Sequence, residues 1–156
     1  MSTRITVRGI SEAIRDLDDV QGRLNDMRPV MEVIGEDIKA FVDDRFETST
    51  DPTGQPWRPL KPATIKRRRG STARPLIDTA NLRNSIAARP GARSVRIGTV
   101  VPYAPVHQMG GRHVPQRRFL PFAPDGTEWE TDGLAGEELA RIADAITLYI
   151  VEGRIE

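Results

Sequence analysis

The chain has 156 residues, of which 38% are hydrophobic and only 5% aromatic, which suits one domain with a small, mostly aliphatic core. The absence of cysteine excludes disulfides and thiolate metal sites, and no apolar run approaches membrane-spanning length. The net charge of +1 conceals a division: residues 1–51 hold 7 basic and 12 acidic residues, residues 52–124 hold 14 and 1, and residues 125–156 hold 2 and 9, so the balances are −5, +13 and −7. Much of this charge can be compensated locally on a solvated surface. Taken together, the division describes a polar molecule that could stack on copies of itself or show its basic middle to an acidic partner or to DNA. The N-terminus lacks an apolar signal segment, so a soluble chain outside the Sec pathway is expected. Thirteen Gly and twelve Pro imply long irregular segments, and there is no internal repeat.

Thr3–Arg8 alternates, with Ile5 and Val7 on one side, and reads as a half-buried strand ended by Gly9. Ser11 is a plausible N-cap for a helix whose apolar residues Ile14, Leu17, Val20, Leu24 and Met27 recur at helical spacing. Pro29 closes that helix and can sit in the first turn of the next. The second helix is expected from about Val30 to Glu47, with Met31, Ile34, Ile38, Phe41, Val42, Arg45 and Phe46 as its core stripe. Gly35 weakens it by roughly 1 kcal/mol relative to Ala unless close packing needs the missing side chain.

Residues 48–74 differ in kind. Thr48–Gly54 is turn chemistry, and Pro56, Pro59 and Pro62 favour extended chain. Trp57 and Leu60 are the only large apolar anchors before Ile65, and a short helix can begin at Pro62 or Ala63. The basic residues Arg58, Lys61, Lys66, Arg67, Arg68, Arg69 and Arg74 fall here, with no acidic residue between Asp51 and Asp78. A loop of this length is either a mobile surface loop or one that orders against another subunit or DNA. Trp57 and these seven cations are the candidate subunit or DNA interface.

Asp78 or Thr79 can cap a short helix through Leu82 and Asn84. Ser85–Arg89 and Ser94–Val100 read as two strands of a hairpin joined at Pro90–Arg93, with Val95 and Ile97 pointing one way. Pro102 and Pro105 argue against continuation, and Val106–Met109 makes at most a helical turn before Gly110-Gly111. Tyr103, His107, Gln108, Gly110 and Gly111 are read as fixing this turn. Arg112–Arg118 is a second basic passage. Phe119–Phe122 is expected to add an edge strand, Pro124–Thr127 a turn, and Asp132 the start of a last helix carrying Leu139, Ile142, Ile146, Tyr149 and Ile150, ended by Gly153. The result is a single α+β domain, residues 1–156, with helices packed on one face of a small antiparallel sheet and a long extended basic loop.

No catalytic, cofactor or metal site is expected. The two histidines, His107 and His113, lack further ligands nearby, since Asp78 is the only acid in residues 52–124. A hydrolytic set can be assembled on paper from Ser85, His107 and Asp78, but without a nucleophile-elbow sequence. The Gly-containing basic stretches lack the Gly spacing and Lys-Ser/Thr pair of a phosphate loop.

One group of motifs is more specific than any of these features. LIDTANLRNSI at Leu76–Ile86 and RIGTVVPYAPVHQMGG at Arg96–Gly111 occur in order with Arg45-Phe46, with Asp51–Thr64 and with Arg117–Leu120. Together they cover about half of the chain and resemble the phage virion morphogenesis family, the tail-completion proteins of Mu-like tailed phages. Ala80 stands where that family usually has Gly, and Phe119-Leu120 is followed by Pro121 in place of a small residue, departures that bear on local turn geometry. The resemblance implies a structural virion protein, not an enzyme. It implies a role in tail completion or head–tail joining and a place in the virion at the head–tail joint or tail end, reached through the host cytoplasm. The partners it implies are further copies of the chain in a ring, with hexameric symmetry suggested by the family, together with other phage head, neck or tail proteins and no membrane. The alternative from the residues is a non-specific DNA-binding protein using the basic 58–74 segment, in contact with packaged DNA.

Overall fold

A computed structural model describes residues 9–69, 73–121 and 136–155. The expected strand at Thr3–Arg8, the turn at Pro124–Thr127 and the helix start at Asp132 lie outside these residues. Among the described residues there are six helices and one two-stranded antiparallel sheet, an α+β arrangement.

Helix α1 spans Ile10–Asn25 and α2 spans Arg28–Thr48. Gly9, at φ 87°, is the N-cap of α1, so Ser11 lies inside the first turn and does not cap it. Asp26 adopts an extended conformation and stops α1, and Pro29 falls at the second position of α2, where its missing N–H costs no helical hydrogen bond.

The rest of the molecule is hung on α2. Its residues Val30, Ile34, Ile38, Val42 and Phe46 recur every fourth position and are all buried. At 21 residues α2 is about 31 Å long. Its N-terminal half carries the hairpin β1 (Ala87–Pro90) and β2 (Val95–Gly98), paired with Ala88 opposite Ile97 and Arg89 opposite Arg96. The strands are shorter than the alternation suggested, and just beyond the ladder Ser85 and Thr99 bond each other through their hydroxyls. Ile97 faces the core as expected, with Val95 partly buried beside it.

Gly35 is where helix and hairpin meet. A Cβ built there would stand 3.0 Å from the Ala88 Cβ and 3.1 Å from Val95 Cγ2. Close packing therefore needs the missing side chain. Gly35→Val is expected to lower stability by about 1–3 kcal/mol through overpacking, seen as a lower denaturant midpoint with an unchanged m-value.

Helix α6, Gly136–Glu152, lies along α2. Tyr149 is buried and donates its hydroxyl to Asp26 O at 2.8 Å. Arg141 pairs with Asp37 and stands 5.3 Å over the Phe41 ring. Gly153, at φ 70°, ends α6. The C-terminal end of α2 holds a second core centre, in which Phe46 meets Trp57 edge-on at 5.6 Å and Phe119 at 5.6 Å.

Of the expected edge strand Phe119–Phe122, Phe122 lies outside the described residues, and Phe119–Pro121 is buried but is not a strand. Pro121 has no N–H to donate to a ladder. The amide of Gln108 takes a strand's place: its Oε1 accepts from Phe119 N and Leu120 N, both at 3.0 Å, and its Nε2 donates to Leu120 O at 2.9 Å.

A basic groove as the candidate interaction site

Residues 48–69 are tied down at several points. The Asp51 carboxylate accepts from Thr53 N, Thr53 Oγ1 and Gln55 N at 2.7–3.0 Å, closing a turn whose ends meet in a bridge between Thr50 and Pro56. Trp57 N donates to Ser49 O at 2.7 Å, and Trp57 Nε1 donates to Arg118 O at 2.9 Å. The Trp57 ring is therefore core, 5% exposed, while the residues after it turn outward. Pro62 begins the short helix α3, Pro62–Lys66, one of the two starts that the sequence allowed.

These residues form one wall of a groove of about 970 Å³. The opposite wall is made by helix α4 (Asn81–Asn84), helix α5 (Ala104–Met109) and the turn after α5. Neither Asp78 nor Thr79 caps α4. Ala80 precedes it at φ 57°, a left-handed conformation that the Gly usual in the resembled family would adopt without strain. The turn after α5 is set by Gly110 at φ 82° and by Gly111 N donating to Val114 O at 2.8 Å. Tyr103 and His107 meet edge-on at 5.9 Å on this wall, and α5 is a full six residues where at most one turn was expected.

The groove is cationic. Arg58, Lys61, Arg67, Arg68, Arg112 and Arg117 line it, and Asp78 is the one carboxylate among its lining residues. Arg117 sits deepest, 6% exposed. Its Nε and Nη2 both donate to Arg58 O, at 3.0 and 2.8 Å, so a backbone carbonyl fixes it. Burial pushes its pKa below the usual arginine value, and the nearby Arg68 and Arg58 charges add to this. Burial, and then the Arg117 charge, lower the His107 pKa in the same way. His107 Nδ1 is buried without a hydrogen-bond partner among the described residues. Arg68 stands 3.9 Å from Asp78, whose Oδ1 also accepts from Arg69 N at 3.2 Å. A concave surface with this excess of cations carries a positive potential.

The structure brings together Arg58, Lys61, Arg67 and Arg68 from the expected interface, and Tyr103, His107 and Gly111 from the expected turn. Lys66, Arg69 and Arg74 are exposed but lie outside the groove lining. Arg74 reaches Glu47 on α2 at 2.5 Å, and Arg83 pairs with Asp43 and Glu47, so part of the basic middle is neutralised within the chain. Arg112, His113 and Arg117 also line the groove. The sequence marks them as a basic passage but gives no reason to join them to Arg58 and Arg67 across some fifty residues. Ser85 Oγ donates to Leu82 O at 2.7 Å and shares a bond with Thr99, so it is committed away from any histidine. Among the described residues no group of three His, Asp or Glu side chains could hold a metal ion, and no helix is long and apolar enough to cross a membrane.

The sequence profile of the phage virion morphogenesis family matches residues 7–146, which includes the hairpin, both walls of the groove and most of α6. The chain belongs to the phage virion morphogenesis family. A relative in Haemophilus influenzae, "Mu-like prophage FluMu G protein 2", is 33% identical over 103 residues, covering 62% of this chain and 67% of its own length. No solved structure matches. As a member of the phage virion morphogenesis family, the protein has a bacteriophage morphogenesis role and is associated with the phage particle or its assembly, with other phage proteins as its partners. The family points to a structural role in place of a catalytic one.

Proposed function

We propose that the protein completes the phage tail or joins head to tail, as the repeated subunit of a closed ring at that joint. The groove is the observation that carries this reading: six cations gathered around one carboxylate. A subunit repeated around an axis must offer neighbouring copies, or the head and tail proteins above and below, a surface with unmet affinity, and the groove supplies one. The family and the Mu-like prophage relative support the same reading. Arg67→Glu combined with Arg112→Glu is expected to keep the fold, since both side chains are exposed. In the phage it is expected to leave filled heads and free tails in electron micrographs. Joined, infectious particles in normal yield would overturn the assignment of the groove to the joint.

A second reading is favoured by the same cations: non-specific binding of packaged DNA through the groove and the 58–74 segment. It predicts retardation of short duplex DNA that weakens steeply as salt rises. Trp57, being core, offers no platform for stacked bases, so single strands should gain nothing over duplex.

A further inference from the structure

We propose that the Arg117 guanidinium, at the floor of the groove, binds a carboxylate carried by an acidic, partly apolar segment of a partner protein. The proposal rests on the groove being the docking surface and names the chemistry that this surface reads.

An arginine is rarely buried without a counter-charge, because the cation loses its hydration. Arg117 is 6% exposed and forms no ion pair among the described residues. The charges that act on it are those of Arg68 and Arg58, both cations. Asp78, the one carboxylate of the groove lining, is engaged by Arg68 at 3.9 Å and by Arg69 N at 3.2 Å. The side chain of Arg117 is left with a carbonyl alone, and that carbonyl takes only one edge of the guanidinium: Nε and Nη2 both donate to Arg58 O. A guanidinium presents its N–H groups in one plane as a fork. Nη1 makes no hydrogen bond among the described residues, so the edge formed by Nη1 and the second N–H of Nη2 is open. That edge matches the two oxygens of a carboxylate. The backbone beneath it is fixed, since Arg117 N donates to His107 O at 2.8 Å and Arg118 O accepts from Trp57 Nε1 at 2.9 Å. A fork held in place before its anion arrives needs little further ordering to bind it.

Two features favour a peptide over a nucleic-acid backbone. Arg58, Lys61, Arg67 and Arg112 are exposed, whereas Arg117 is recessed. A duplex is a stiff rod whose phosphates would meet the exposed cations and stop short of Arg117, while a Glu or Asp side chain can carry its carboxylate inward. Pro59, Leu60, Leu76, Val114 and Pro115 also line the groove among the cations. Phosphates offer nothing to cover them, but the apolar neighbours of an acidic residue do.

The chain itself contains a stretch with this chemistry: residues 125–134 hold Asp125, Glu128, Glu130 and Asp132, no basic residue, and Trp129. A labelled synthetic peptide of that stretch is the probe, titrated against the full chain by fluorescence anisotropy. The wild type is expected to bind it, and to bind the version with all four acids changed to amides roughly tenfold or more weakly. Arg117→Lys keeps the charge but not the fork. It should lose roughly tenfold or more in affinity for the acidic peptide and leave retardation of short duplex DNA unchanged. Arg67→Glu with Arg112→Glu should abolish DNA retardation yet keep the preference for acid over amide. The side-chain N–H signals of Arg117 in the wild-type protein give a reading that does not depend on a variant folding: they should shift with the acidic peptide and not with the amide version. Because the fork reads a carboxylate and not an order of residues, failure of the wild type to bind this peptide overturns the proposal. Equal binding of the acidic and amide peptides, or Arg117 signals that stay in place, overturns it too. DNA retardation lost in a folded Arg117→Lys, with peptide binding unchanged, would make phosphate the occupant instead. Arg117-dependent peptide binding alongside normal joining of phage carrying Arg67→Glu and Arg112→Glu keeps the carboxylate receptor and removes the joint reading. Unjoined particles without peptide binding do the reverse.

Discussion

Arg45→Met is expected to cost about 3–5 kcal/mol of stability, while the double change Arg45→Met with Glu138→Leu recovers most of it. Arg45 is only 4% exposed, at the point where α2, α6 and the Phe119 segment converge. Its Nη2 donates to both oxygens of Glu138, at 2.9 and 2.7 Å, and its Nη1 reaches Phe119 O at 3.4 Å. Burial lowers the Arg45 pKa, and the Glu138 charge and hydrogen bond work against that shift. Removing the guanidinium alone takes two hydrogen bonds and their charge away from a half-buried carboxylate and leaves a buried carbonyl facing an apolar side chain, and that loss is the source of the cost. Removing both charges substitutes apolar contact for an ion pair whose desolvation offsets most of its attraction. Denaturant midpoints of the two single variants and the double variant form a cycle, and a double variant as unstable as Arg45→Met would refute this account. Because Glu138 opens α6, the single variant should also loosen α6 first, visible as faster amide exchange there than in β1 and β2.

The elements that could be read from the sequence are those whose signal is local. Helix α2 follows from apolar residues every fourth position, whereas Gly35 read only as a weak point unless something packed closely on it, and Ala88 as that neighbour is visible only in the fold. The hairpin follows from the alternation at Val95 and Ile97 with a Gly-containing turn. Where the sequence misled, a distant side chain had replaced a backbone partner. The run Phe119-Leu120-Pro121 has the composition of an edge strand, yet the amide that satisfies it belongs to Gln108, eleven residues away and in a helix. The apolar stripe of α1 was legible as well, but periodicity reports only that a face is apolar, not whether the chain covers it. The groove was half legible for the same reason. Its upstream cations form a visible cluster, whereas Arg112 and Arg117 join them only because Trp57 bonds Arg118 O and Arg117 bonds Arg58 O. The shortage of acids between residues 52 and 124 was the one sequence feature that anticipated a shared cationic surface.

Gln108 is the second residue whose loss should be felt strongly. It is 7% exposed and meets two N–H groups and one carbonyl of a buried segment that no strand supports. Gln108→Leu strands all three groups, at about 1–3 kcal/mol each when buried. Some relief by entering water brings the expected total to about 3–4 kcal/mol, measured by urea denaturation. Gln108→Glu separates the roles of the two ends of the amide. One carboxyl oxygen still accepts from Phe119 N and Leu120 N. The other faces Leu120 O, where only a donor is tolerated, so the protonated form is the one that fits. The folded-state pKa of the new carboxyl should therefore be raised above its unfolded value, because the folded protein binds the proton more tightly. Stability relative to wild type should rise as pH falls through that raised pKa and should drop above it. Arg117 and Arg118 immediately precede the segment that Gln108 holds, and Arg117 supplies the deepest cation of the groove. Self-association of Gln108→Glu should consequently be weak at neutral pH and recover in mild acid, whereas Arg67→Glu with Arg112→Glu should fail at both. Equal behaviour of the two variants across pH would mean that the Gln108 amide does not hold the groove in shape.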